Sequence, residues 1–241
     1  MNMLNEATFI YEMFIRMLPG IPLTLQLAAT SIACGGCLGL VLALMRTSGW
    51  ALLDAFARAY IALFRGTPLL VQIYLIYYGL SQYPELRSSV LWPLLRQPWW
   101  CAVLAMSLNT AAYVAEIIRG SIITVPRGQV EAAMACGMST VLMYRRIIIP
   151  QALVRMLPAY GNEIILMVKA TALASTITLM EVTGLAAQAI SETYRPVEVF
   201  AAAGVIYLGL NFLMVSIIRL LEKKTSTEAS SGKQTLKRSY F

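Results

Sequence analysis

Five stretches of the chain are apolar over lengths that reach across a lipid bilayer, and charged residues gather between them. A helix needs about 20 residues to cross the hydrocarbon core. The stretches at about 23–45, 60–80, 97–117, 160–181 and 199–219 are candidate spans on that measure. The first follows Pro19, Gly20 and Pro22 and is uncharged, the third opens near the interfacial pair Trp99 and Trp100, and the fifth ends on Arg219. Arg65 lies near the start of the second, while the fourth contains Glu163 and Lys169. The pattern predicts an all-α integral membrane domain over residues 1–221. The polar Ser/Thr/Lys-rich tail, 222–241, is expected to be disordered.

Composition sharpens this picture. Hydrophobic residues make up 59% of the 241 and charged residues 13%, against about 45–50% apolar in soluble domains. Of the 19 Lys and Arg residues, Arg16, Arg87, Arg96 and Arg195 fall in the connections on one side, and Arg65 and Lys169 fall within spans. The remaining thirteen fall on the other side. Cytoplasmic connections retain positive charge, so the N-terminus is expected outside and the C-terminus inside. The net charge of +7 then reflects topology and the anionic inner leaflet. No basic stripe interleaves with aromatics as a nucleic-acid surface would require. Because Glu6 and Glu12 precede a long first apolar stretch, that stretch is expected to remain as a span rather than to be a cleaved signal.

The chain has no histidine, which excludes His-based metal sites and His-dependent triads. Cys34 and Cys37 form a C-x-x-C pair inside the first span beside Gly35, Gly36 and Gly39. Small-residue packing explains that setting better than redox chemistry. Gly35 and Gly39 form a G-x-x-x-G, the spacing that lets a second helix approach closely.

The longest cytoplasmic connection, 119–157, is predicted to be ordered. Pro126 suits a first helical turn, Gly137 suits the left-handed residue that ends a helix, and Ser139 or Thr140 can cap a second helix running to Ile149, where Pro150 stops it. Taken alone, this could be an amphipathic hairpin resting on the membrane surface. Within it, Glu131, Ala132 and Ala133 are followed by Gly137 six residues after the glutamate, Ile147 at sixteen and Pro150 at nineteen. This spacing resembles the EAA loop of ABC importer permeases, in which a short helix docks in a cleft of the cytoplasmic ATPase and passes on its closure.

The resemblance extends along the chain. The segments FRGTPLLVQ (64–72), LNTAAYVAEIIRGSI (108–122) and LPAYGNEIILMVKATALAS (157–175) are similar to the polar amino acid permeases, closest to the membrane subunits for histidine, lysine, arginine and opines. Many of those relatives carry an acidic residue where this chain has Ala170. The resemblance implies the five-span type I importer fold in the bacterial inner membrane and a polar, basic amino acid or an opine as cargo. It also implies an ATP-binding subunit dimer carrying ATP-Mg, a second permease subunit of similar fold or a second copy of this chain, and a periplasmic amino-acid-binding protein. The chain itself has no G-x-x-x-x-G-K-[ST] loop, so it is expected to be non-catalytic. The alternative is a secondary transporter or channel that is not coupled to ATP.

Polar residues inside the spans mark the candidate path. A charge at the bilayer centre costs about 3 kcal/mol on insertion scales, and seven strongly apolar side chains of the fourth span return about as much. That span therefore needs protein neighbours or water beside Lys169, Thr171 and Ser175. Glu116 and Glu163 are expected at similar depth, and with Asn109, Thr110 and Tyr113 they could line one acidic cavity suited to a cationic substrate. Equally open is that Glu116 pairs with Arg119, three residues on, and Glu163 with an arginine of a loop. Arg65, Gly66 and Pro68 are gating candidates, with snorkelling and packing as the plainer explanations.

Overall fold

The computed structural model describes residues 3–238, with side chains from Glu6 to Thr225. Among the described residues it is helical throughout, with no strand. Among the described residues three helices are long and apolar enough to cross a membrane, or up to five if each of two bent helix pairs counts as one span.

The chain opens with α1 (Met3–Met17), a short 3-10 turn (Leu18–Gly20) and α2 (Ile21–Thr47), whose Pro22 occupies the first turn where a missing N–H costs nothing. α2 lies along α7 (Pro98–Ile123), the most deeply buried helix. Two glycines set how closely they approach. A Cβ at Gly35 would lie 2.7 Å from Thr110 Cβ, and one at Gly39 would lie 2.8 Å from Val114 Cβ. The G-x-x-x-G thus serves as the close-contact seam expected of it. α3 (Ala51–Gly66) closes a small core with these helices through Leu42, Ala57, Ile61, Ala111, Ala112 and Ala115.

The second predicted span is not one straight helix. α3 ends at Gly66, Thr67 and Pro68 are extended, and α4 (Leu69–Tyr74) continues through a π-turn (Leu75–Gly79) at 102° to α3. Proline restricts its predecessor to extended backbone, which places the break at Thr67. Two short helices, α5 (Pro84–Arg87) and α6 (Trp92–Leu95), precede α7.

The next connection carries α8 (Arg127–Ala135) and α9 (Thr140–Met143). A π-turn (Tyr144–Ile148) then leads into α10 (Ile149–Ala170) and a 3-10 segment (Thr171–Ile177). Here the expectation at Pro150 is corrected, because the helix does not stop there. Pro150 sits in the first turn of α10, and the wider turn before it accommodates the missing N–H, so Thr140–Ile177 runs on as one helix. After a left-handed Thr178 (φ 72°), α11 (Val182–Thr193) departs at 46°. The fourth predicted span, 160–181, is thus part of this longer broken element.

α12 is Pro196–Arg238 and includes residues 222–238 of the tail expected to be disordered, while residues 239–241 lie outside the described residues. α1 packs against α11 and α12, with Arg16 to Glu192 at 2.5 Å and the Arg195 guanidinium 4.2 Å from the Phe9 ring centre. The main core lies where α2, α4, α7, α11 and α12 converge on fully buried Leu27, Ile73, Met106, Val182 and Val199.

Replacing Gly39 by Leu is expected to lower stability by about 1–3 kcal/mol, because overpacking forces apart helices that already touch. Thermal unfolding in detergent measures this, and an unchanged midpoint would mean that α2 and α7 do not meet at that glycine.

Candidate functional site: a cavity beside a broken span, and a surface hairpin

Breaking α3 from α4 strips carbonyls of their helical partners, and inside lipid each must find another. Gln72, buried on α4, supplies them. Its Nε2 donates to Phe64 O at 2.9 Å, Thr67 O at 3.1 Å and Thr67 Oγ1 at 2.8 Å. Asn109 on α7 completes the knot, donating to Phe64 O and to Gln72 Oε1, both at 3.1 Å. Asn109 therefore fixes the break rather than standing free.

Beside this knot lies a cavity of about 160 Å³ lined by Leu69, Asn109, Tyr113, Glu163, Leu166, Met167 and Ala170. Glu163 is 7% exposed. Arg65 stacks over the Tyr113 ring, 5.1 Å from its centre, and lies within electrostatic reach of Glu163. The arrangement is an apolar chamber with one buried acid and a guanidinium at its edge.

Of the predicted path residues, Asn109, Tyr113 and Glu163 thus come together, and Arg65 borders them. Glu116 does not join them. Its carboxylate is held by Arg119 at 2.7 Å, with Arg46 Nε at 3.5 Å, so the pairing three residues on is the one formed. Arg46 also bonds Asp54 at 2.7 Å, which ties α2, α3 and α7 together. Thr110 turns to the glycine seam of α2. Thr171 is buried and donates to Val168 O at 2.8 Å, and Ser175 donates to Ala172 O at 2.7 Å, so both hydroxyls are used by their own helix. Lys169 is exposed, next to the cavity-lining Ala170. Gly66 and Pro68 flank the break itself.

Sequence reading passed over a second knot. Glu181, fully buried, caps α11 by accepting from Gly184 N at 2.8 Å, and accepts from Tyr207 Oη at 2.6 Å and Thr24 Oγ1 at 3.5 Å. The available signal, for Gln72 as for Glu181, was a polar residue within a few positions of a helix-breaking segment in an apolar stretch.

The hairpin is built as a separate small unit. α8 ends in a Schellman turn, with Gly137 left-handed (φ 72°), Met138 N donating to Ala133 O at 3.1 Å and Gly137 N to Met134 O at 2.9 Å. Ser139 caps α9, its hydroxyl accepting from Leu142 N at 3.4 Å. Val125, Ala133, Met143 and Ile148 form its own apolar core. Gln151 bonds Gln129 at 2.6 Å, and Arg155 bonds the Thr124 carbonyl. Of the six pattern residues, Ala132, Ala133, Ile147 and Pro150 line one open groove of about 420 Å³, Glu131 is exposed, and Gly137 makes the turn.

No group of His, Cys, Asp or Glu that could hold a metal ion occurs among the described residues. Broken apolar helices around an apolar chamber with one buried acid, joined to an ordered hairpin, suit a membrane permease. Residues 35–227 match the family described as binding-protein-dependent transport system inner membrane component, and the chain belongs to that family. It is 64% identical over 217 residues to the octopine transport system permease protein OccM of Rhizobium meliloti, covering 90% of this chain and 89% of that one. It is 49% identical over 168 residues to the arginine ABC transporter permease protein ArtM of Escherichia coli K12, covering 69% and 75%. A solved amino acid ABC transporter with histidines superposes with a TM-score of 0.80 at 36% identity, over 93% of this chain and 99% of the other. The chain is thus a non-catalytic permease subunit of an ABC importer, a class that works with ATP-binding subunits and a substrate-binding protein. The reading as a secondary transporter gives way to this one.

Gln72→Leu is expected to cost about 1–3 kcal/mol, because the Thr67 carbonyl loses its side-chain donor, buried Asn109 loses its acceptor, and Phe64 O is left to Asn109 alone. A fall in the thermal midpoint of the solubilised chain measures it, and a Gln72→Leu variant as stable as the parent would show that the break is satisfied in another way.

Proposed function

We propose that this permease carries a basic amino acid or an opine across the bacterial inner membrane by alternating access, with its cavity turned to each side in step with a separate ATPase dimer. The observation that carries the cargo assignment is Glu163, a buried carboxylate in an apolar chamber, together with relatives named for octopine and arginine. Taking a cation out of water requires a compensating negative charge, and a cavity acid supplies it. Asn109 and Tyr113 line the same chamber, and Arg65 is poised to neutralise Glu163 when cargo is absent. Gly66 and Pro68 give the adjoining break its freedom to bend. Lys169, Thr171 and Ser175 are assigned to the path's outer wall, and Glu116 and Thr110 to its framework.

Five spans, with the N-terminus outside and the C-terminus inside, follow from counting each bent pair as one crossing and from the positive charge of the hairpin side. The hairpin then faces the cytoplasm. Its groove, walled by Ala132, Ala133, Ile147 and Pro150, accepts close backbone contact from the ATPase, and Glu131 sets the docking angle through charge-assisted hydrogen bonds. A second permease subunit, a paralogue or another copy, completes the path, and a periplasmic binding protein delivers the cargo. Closure of the ATPase dimer moves the hairpins and exchanges one bundle packing for the other.

The test is uptake of labelled arginine and octopine into vesicles holding the assembled transporter, its binding protein and internal ATP. ATP-dependent uptake is expected, with Glu163→Gln lowering it about tenfold or more while the complex still assembles. Uptake that needs no ATP, or is unaffected by Glu163→Gln, would overturn the assignment.

A further inference from the structure

The connection between the broken second element and α7 carries an uncharged run, 88–95, bounded by Arg87 and Arg96. Within it Val90, Leu91 and Leu94 are 94%, 58% and 44% exposed, whereas Trp92 and Leu95 are half-buried. Three aliphatic side chains therefore stand away from the protein.

Depth and hydrogen bonding identify what covers them. α6 is folded back on α7, and buried Cys101 donates from Sγ to Leu95 O at 3.0 Å. α6 thus sits at the level of the opening turn of α7, beside Trp99 and the exposed Trp100, and tryptophan gathers in membrane proteins at the bilayer interface. The polar groups of the run are turned inward. Trp92 N donates to Ser89 O, Leu94 N and Leu95 N to Leu91 O, Arg96 N to Trp92 O and Gln97 N to Leu94 O, while Pro93 has no N–H. The Ser88 and Ser89 hydroxyls donate to Glu85 O and Leu86 O. Backbone that enters lipid must satisfy its donors within the protein, and the amides from Trp92 to Gln97 do so.

We propose that 88–95 is an interfacial anchor. Val90, Leu91 and Leu94 enter the acyl region of one leaflet, at the end of α7 opposite the one that leads into the hairpin. The partner is the lipid surface itself, recognised by apolar contact and depth rather than by headgroup. The 3-10 turn (Leu80–Gln82) that ends the broken element runs directly into α5 and this run. An anchor here therefore holds that end of the element at one depth, whichever way the break at Thr67 bends.

Nitroxide labels at Val90→Cys, Leu91→Cys and Leu94→Cys, one at a time, test this in vesicles holding the assembled transporter. The native cysteines are replaced by serine, and Cys101→Ser keeps a donor to Leu95 O. Relaxation by oxygen, which concentrates in lipid, and by a water-soluble nickel chelate gives the depth of each label, whichever side is the periplasm. All three labels are expected at about 5–10 Å below the headgroup boundary, with or without the binding protein. A Glu85→Cys label is expected in water, which controls for the nitroxide's own affinity for lipid. Three labels as open to nickel as the one at Glu85 would overturn the anchor, since the run then lies in water. Labels shielded from both reagents would place it against a protein neighbour, and nickel shielding that arises only with the binding protein would make it a docking surface. Either result would also overturn the proposal.

Discussion

Inside a bilayer a backbone carbonyl or amide has no water to turn to, and this protein breaks two of its apolar elements there. Each break is closed by a buried side chain acting in place of helix. Gln72 and Asn109 take the carbonyls at the end of α3, and Glu181 takes an amide at the start of α11 while Tyr207 and Thr24 hold its second oxygen. Leaving such groups unpaired would cost about 1–3 kcal/mol each. The cavity lies beside one of these breaks, with Leu69 of α4 and Asn109 of the knot in its lining.

Around the breaks, the helices are closely packed and cross-linked by ion pairs. α2 and α7 lie at glycine contact, and the Arg46 bonds to Asp54 and Glu116 fasten α3 to the same pair. The broken helices therefore sit against a closely packed wall, which suits a protein that exchanges two packings rather than deforming continuously.

Much of this was legible in the sequence. The apolar stretches gave the helices, Gly35 and Gly39 their seam, and Gly137 with Ser139 the hairpin turn, because each rests on a local rule about period, size or φ. What hid was three-dimensional. A run of apolar residues reads the same whether straight or bent by 102°, so the second span looked continuous despite Pro68. Pro150 read as a stop because a π-turn that absorbs it has no composition of its own. Glu116 and Glu163 share a predicted depth, yet Arg46, distant in sequence, and Arg119 hold the first while the second faces the chamber. Gln72 was missed because an isolated glutamine in an apolar stretch has no periodic signature.

The central claim is that the hairpin groove receives the ATPase on the cytoplasmic face. Cys136 lines that groove and is exposed, and the other cysteines, Cys34, Cys37 and Cys101, can be replaced by serine. Its labelling by a membrane-impermeant maleimide, in vesicles of known orientation with and without the ATPase, is the most direct measurement. Labelling from the cytoplasmic side alone, and protection once the ATPase is bound, is the predicted result. Labelling from the periplasmic side, or at one rate whether or not the ATPase is present, would contradict it.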